Sequence, residues 1–232
     1  LQSLDAASQL LGLTDPFEAE AQGAVAVSAL LRETGGKDAI GFAMFAALLG
    51  LRNDAAASAI LHAVDVIAPG PAGHCAAAEM RRLEKAGIPR PPWEPLLAAP
   101  VRPVTAWLCS PVLESGGAPH SVMVFEFERA GATHGFIVHR DFRGDGSIGK
   151  ISAVPNIGWS SFRKFLLAGE AFEAPYAIEE LDFGEAADRF DAPRSAMWSR
   201  LREDPARFAG DRDLGGVPGL ALLLERHMTA AA

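Results

Sequence analysis

The residue types that could carry chemistry gather between positions 107 and 150. His120, Glu126, His134, His139, Asp141 and Lys150 form the densest group of titratable side chains there, with Trp107 and Cys109 just upstream. Imidazoles exchange protons near neutral pH and carboxylates accept them, so general acid–base catalysis is the reaction class such a group could serve. Side chains alternate along a strand, which puts Glu126 and His139 on one face and His134 on the other. His139, Glu126 and His120 are therefore the catalytic candidates, and Trp107, Asp141 and Lys150 the ligand-binding ones. His139 is the residue placed best for proton chemistry or pH sensing, because it stands at the rim where Asp141 leads into a Gly-rich turn.

Other motifs fall short of a defined site. Gly144-Asp-Gly-Ser-Ile-Gly149-Lys150 has the spacing of a phosphate-binding loop, but Ile151 stands where a magnesium-binding Ser or Thr belongs and no helix follows, so it reads as a turn. Asp141, Asp145 and Ser147 alternate like calcium ligands, yet the twelfth position is Ser152 rather than a glutamate. His74 and Cys75 are adjacent and diverge on a helix, and Cys109 has no C-x-x-C partner. Cys109 as a nucleophile, with His120 or His139 as its base, requires neighbouring strands to bring them together. No metal and no cofactor are expected.

The elements that must position these residues centre on Ser121 to Arg140. Two β-rich runs flank Ala130-Gly131, where glycine supplies the positive φ of a two-residue hairpin turn. That turn sets Phe127 opposite His134, Phe125 opposite Phe136, Met123 opposite Val138 and Val122 opposite His139, collecting the large apolar side chains on one face. Val104–Cys109 and Ile151–Val154 read as further strands, giving three or four antiparallel strands, with a loop over Glu114–Ala118.

Helices surround this hairpin. Asp15-Pro16-Phe17-Glu18 is a capping box that starts a helix running to about Glu33. Further helices are expected over 38–49, packing through Ile40, Phe42, Ala43, Phe45, Ala46 and Leu49, then over 54–67 and 72–86. After the sheet, Ser160 is expected to cap a helix, followed by helices over 179–190 and 195–202, one restarting at Asp204-Pro205, and a last one over 218–228. The organisation expected is an Ala-rich helical bundle over 1–87, a Pro-rich connector over 88–103, a small sheet over 104–157 and C-terminal helices over 158–232.

Composition bounds the rest. The chain has 232 residues and a net charge of −8, which disfavours a phosphate backbone as partner. The longest apolar run, Ala39–Leu51, is too short to span a bilayer, and the first residues lack a basic leader. Two cysteines are too few for a disulfide scaffold and suggest a cytoplasmic setting.

Ala86-Gly-Ile-Pro-Arg-Pro-Pro-Trp93, the central hairpin that follows, and Glu180-Leu-Asp-Phe-Gly-Glu-Ala-Ala-Asp-Arg189 together resemble an uncharacterised actinobacterial protein family. That family pairs an Ala-rich helical front half with a central hairpin. The resemblance implies this fold and brings no activity with it. Its hairpin ends in Asp-His, followed by Lys-Asp, where this chain has His139-Arg140-Asp141 and Lys150-Ile151.

The expectation is an α+β protein with an N-terminal helical bundle, a small antiparallel sheet centred on the hairpin, and C-terminal helices packed on it. In function it reads as a protein-interaction or regulatory module without catalytic activity, engaging a protein partner or a second copy of itself, with no nucleic-acid or membrane role. The alternative is an enzyme or small-molecule-binding protein whose pocket, between bundle and sheet, is lined by Trp107, His120, Glu126 and His139.

Overall fold

The computed structural model describes residues 9–34, 39–67, 71–112, 121–140, 146–172, 175–210 and 215–230. Their order is α1 (Pro16–Thr34), α2 (Ala39–Gly50), α3 (Ala55–Ile67), α4 (Pro71–Lys85), a 3-10 turn (Glu94–Ala98), β1 (Val101–Pro111), β2 (Val122–Arg129), β3 (Ala132–Arg140), β4 (Ile148–Val154), α5 (Asn156–Leu167), β5 (Tyr176–Leu181), α6 (Phe183–Glu203), α7 (Pro205–Gly210) and α8 (Val217–Ala230). This is the α+β class expected. The chain divides into two compact units, Leu1–Ala99 with Leu201–Leu223, and Pro100–Arg200 with Leu224–Ala232.

The first unit is helical, and its helix ends follow local rules. Asp15 Oδ1 accepts hydrogen bonds from the backbone N–H groups of Phe17 (2.8 Å) and Glu18 (3.4 Å), satisfying donors that the first turn of α1 cannot. At the end of α4, Gly87 takes φ +82°, and the Ile88 N–H reaches back to the Leu83 carbonyl, closing the helix with its last carbonyls paired. Small residues let the helices approach closely. A Cβ on Gly219 of α8 would lie 1.8 Å from the Ala24 carbonyl oxygen of α1, and the Gly219 N–H instead donates to the Ser28 hydroxyl at 2.8 Å. Trp93, fully buried, donates its indole N–H to the Leu10 carbonyl at 2.8 Å, so the Pro-rich segment is anchored by its one large aromatic.

The second unit is built on a five-stranded antiparallel sheet, ordered β4-β3-β2-β1-β5. The hairpin has the register expected: Phe127 with His134, Phe125 with Phe136, Met123 with Val138 and Val122 with His139. Both turn residues are left-handed, Ala130 at φ 52° and Gly131 at φ 81°, as in the turn that matches strand twist. Alanine occupies that region at a cost of about 1 kcal/mol, which asparagine relieves through its local hydrogen bonding. Ala130→Asn is therefore expected to stabilise the sheet by about 0.5–1 kcal/mol, read as a higher denaturant midpoint with an unchanged slope.

Other elements differ from the sequence-based expectation. β1 begins at Val101 rather than Val104; it tolerates Pro103 because its register shifts between Pro103 and Thr105. β4 begins at Ile148, and α5 starts at Asn156 behind an extended Pro155 rather than at a Ser160 cap. Residues 179–181, read as the start of a helix, belong to β5, which pairs along β1 from Ala106 to Pro111. Helix begins only at Phe183, where Asp182 Oδ1 accepts the Glu185 N–H at 2.8 Å, and α6 then runs unbroken through Pro193 across the two shorter helices expected. The loop over Glu114–Ala118 lies outside the described residues.

Both sheet faces are covered. Phe125 meets Phe183 and Phe190 of α6, Phe127 meets Phe183 with the rings 5.2 Å apart, and Phe136 packs edge-to-face on Phe127. On the other face, Trp107, Cys109, Val122, Val124 and Ile137 pack under Trp159 and Leu166 of α5. The face that carries Glu126 and His139 is thus a second core.

Candidate functional site

Trp107, Glu126, His139 and Lys150 share the sheet face that α5 covers, and among the described residues Glu126 is tied to Trp159 and Arg163 while the His139 ring lies against Phe172. His120 and Asp141 lie outside the described residues. Cys109, Val122, His139 and Lys150 form one row across β1, β2, β3 and β4. Cys109 and His139 are thus two strands apart, about 10 Å at the usual strand spacing, with Val122 between them. Burial pushes the Cys109 thiol up to about 12, and the group is fully enclosed. Enclosed in this way and separated from His139 by Val122, Cys109 is not placed as a nucleophile with His139 as its base. His139 is half-buried, its ring nearly perpendicular to that of Phe172 with 6.5 Å between centroids.

Glu126 has the most developed surroundings of the residues singled out. Its carboxylate is buried and accepts the indole N–H of Trp159 at 2.9 Å through Oε1, while Arg163 Nε lies 3.2 Å from Oε2. The half-exposed Arg163 guanidinium also lies over the Trp107 ring, 5.9 Å from its centroid. Arg163 sits off the line of a good hydrogen bond to Oε2, so the charge is matched more completely than the lone pairs. The arrangement exists because Glu126 pairs across the hairpin with Gly135, whose missing side chain leaves room for Trp159. Chemically this is a carboxylate locked by a tryptophan and capped by an arginine, a packed polar bridge rather than a proton-transfer site open to substrate.

The opposite face holds a pair that no local signal marks. His134 and His227 are both buried, with His134 Nε2 and His227 Nδ1 3.3 Å apart, so one ring's N–H serves the other's lone pair. Phe127 and Phe136 enclose them, the His227 ring lying 5.2 Å from Phe127 and 5.5 Å from Phe136. Burial first, then the neighbouring His227 and Arg129, push the His134 imidazole down to about 2. It is held neutral, which suits a structural hydrogen bond and removes it from acid–base work at neutral pH. Among the described residues no group of three or more His, Cys, Asp or Glu side chains could hold a metal ion.

The feature that stands apart is on α2. From Ala39 to Leu51 there is no charged side chain, yet only one side of the helix is enclosed, through Phe42, Ala46 and Leu49, where α2 packs against α4 and α3. The other side exposes Ile40 (72 %), Met44 (62 %), Leu48 (62 %) and Leu51 (76 %), together with Ala47. Ile40, expected among the packing residues, faces solvent. Helical spacing puts Ile40, Met44, Ala47 and Leu51 in one stripe, with Leu48 beside it. The signal was present in the sequence as a helix apolar all round, a pattern that implies burial on every side. No described helix is long and apolar enough to cross a membrane. Comparison of the chain with protein-family models, with curated proteins and with solved structures finds no match.

Proposed function

We propose that this protein is an interaction module without catalytic activity, and that the exposed stripe of α2 is its docking surface. The observation that carries the reading is the stripe itself. Four large apolar side chains, each more than half exposed, lie side by side, Ile40, Met44 and Leu48 on a helix with no charged residue and Leu51 just past its end, whereas exposed apolar residues on a monomer are ordinarily scattered. Helices recognise partners through this spacing of anchors, one turn apart on one face. The rival reading, an enzyme or small-molecule-binding protein, has no comparable support. Trp107 and Glu126 are buried beneath α5, and the His139 ring lies against Phe172.

A photo-crosslinking residue in place of Leu48, introduced in living cells, tests the reading. The expected result is a covalent adduct with a protein, identified by mass spectrometry and lost when Met44 is also changed to Glu. Crosslinking to lipid alone, or none above the level given by an exposed position elsewhere, would overturn it.

A further inference from the structure

We infer that the occupant of the α2 stripe is the α2 stripe of a second copy, packed antiparallel about a two-fold axis. This rests on the reading of that face as a docking surface and adds the identity of what covers it. The exposed residues Ile40, Met44, Ala47 and Leu51 are separated by four, three and four positions, the spacing with which paired helices interlock at a crossing angle of about 20°. That spacing is the same read in either direction. A two-fold axis at the midpoint of the stripe therefore sets Ile40 against Leu51 of the second copy and Met44 against its Ala47, and each pair recurs on the other side of the axis, as a closed symmetric contact demands. The central pairs match a long flexible side chain with a methyl group, so the helices approach closely where they cross, and the outer pairs match two branched ones. A two-fold contact fails where it brings a charge against its own copy. Within the stripe none arises, because no residue from Ala39 to Leu51 is charged; at its end Arg52 is paired with Asp54 and Arg82 with Glu79, each at 2.8 Å.

A partner bearing a charged recognition helix would find no counter-charge on this stripe, whereas the stripe itself meets the need for a charge-free, equally spaced surface. The helix is about 18 Å long at its usual rise, so the contact falls at the small end of specific interfaces, and the dimer is expected to form as protein concentration rises.

Sedimentation velocity on the purified chain over two orders of magnitude in concentration reads this directly. The wild type is expected to pass from monomer to dimer. Met44→Glu and Ala47→Lys, both at exposed positions, are each expected to remain monomeric with unchanged circular dichroism and melting. An equimolar mixture of the two is expected to restore a dimer, because the two-fold sets residue 44 of one copy against residue 47 of the other. A wild type that stays monomeric throughout, a dimer unaffected by Met44→Glu, or a mixture that stays monomeric would overturn the proposal. A monomeric wild type that still crosslinks through position 48 to a different protein would overturn the second copy as occupant while leaving the docking reading intact; with no such crosslink, both fall.

Discussion

Gly135→Ala is expected to remove about 2–6 kcal/mol of folding stability from the sheet unit, a large part of what a domain of this size possesses. A Cβ at this position would lie 2.2 Å from two ring carbons of Trp159 and 2.5 Å from the Phe125 carbonyl oxygen. Neither neighbour has room to yield, since Trp159 is fully buried and the Phe125 carbonyl belongs to the adjacent strand. Overpacking of a close-packed core costs about 1–3 kcal/mol by itself. Displacing Trp159 also breaks its 2.9 Å bond to Glu126 and leaves that buried carboxylate with Arg163 alone, a further penalty of about 1–3 kcal/mol. Denaturant unfolding followed by tryptophan fluorescence measures the loss. Trp159→Leu supplies the control: if the indole is the obstacle, the double variant loses clearly less than the two single variants together. A loss below about 1 kcal/mol for Gly135→Ala would show that the sheet relaxes around the added methyl, contrary to this account.

The second large effect is one of pH. His134 titrates at about 2 when folded, against an ordinary value of 6.5, because it is buried beside His227 and Arg129. Below pH 6.5 the unfolded chain takes up a proton there that the folded chain does not, so acid favours unfolding. The stabilisation is fully present above about pH 6.5 and is lost progressively as pH falls towards 2, at about 1.4 kcal/mol per pH unit once well below 6.5. Between pH 7.5 and pH 5 this one residue accounts for about 2 kcal/mol. His134→Phe keeps a buried ring and cannot be protonated. Its stability is expected to fall less than that of the wild type over the same interval, by about that amount, groups far from the site cancelling in the comparison while His227, which loses its hydrogen-bond partner, is compared through a His227→Phe variant. Equal pH slopes for the two proteins would show that His134 is not the acid-sensitive group.

Gly135 and His134 are adjacent in sequence, and the chain announces them unequally. A glycine inside a run of strand-forming residues signals the close approach of another group, but nothing local says that the group is an indole 24 positions further on. His134 is legible as a strand residue on the phenylalanine face and no further. Its burial depends on His227, which stands on a different element 93 residues away.

What the sequence by itself determined is what neighbours along the chain determine. Alternation of Phe125, Phe127 and Phe136 about Ala130-Gly131 set the hairpin register, since a slip by one residue would turn every ring to the other face. Asp15-Pro16 and Asp204-Pro205 marked helix starts because a carboxylate bonds the free N–H groups of the first turn and proline needs none. The tertiary structure alone decided whatever depended on a distant partner. Tyr176–Leu181 contains Glu-Glu-Leu, which suits a helix, but β1 offers it an unpaired edge and makes it a strand. The α2 sequence is apolar on every side, and only the placement of α3 and α4 against one of them leaves the other open. Local bonding energies are fixed by residue spacing, whereas burial is a property of what arrives from elsewhere in the chain, and for Glu126, His134 and the α2 stripe burial or its absence is the property that sets the chemistry.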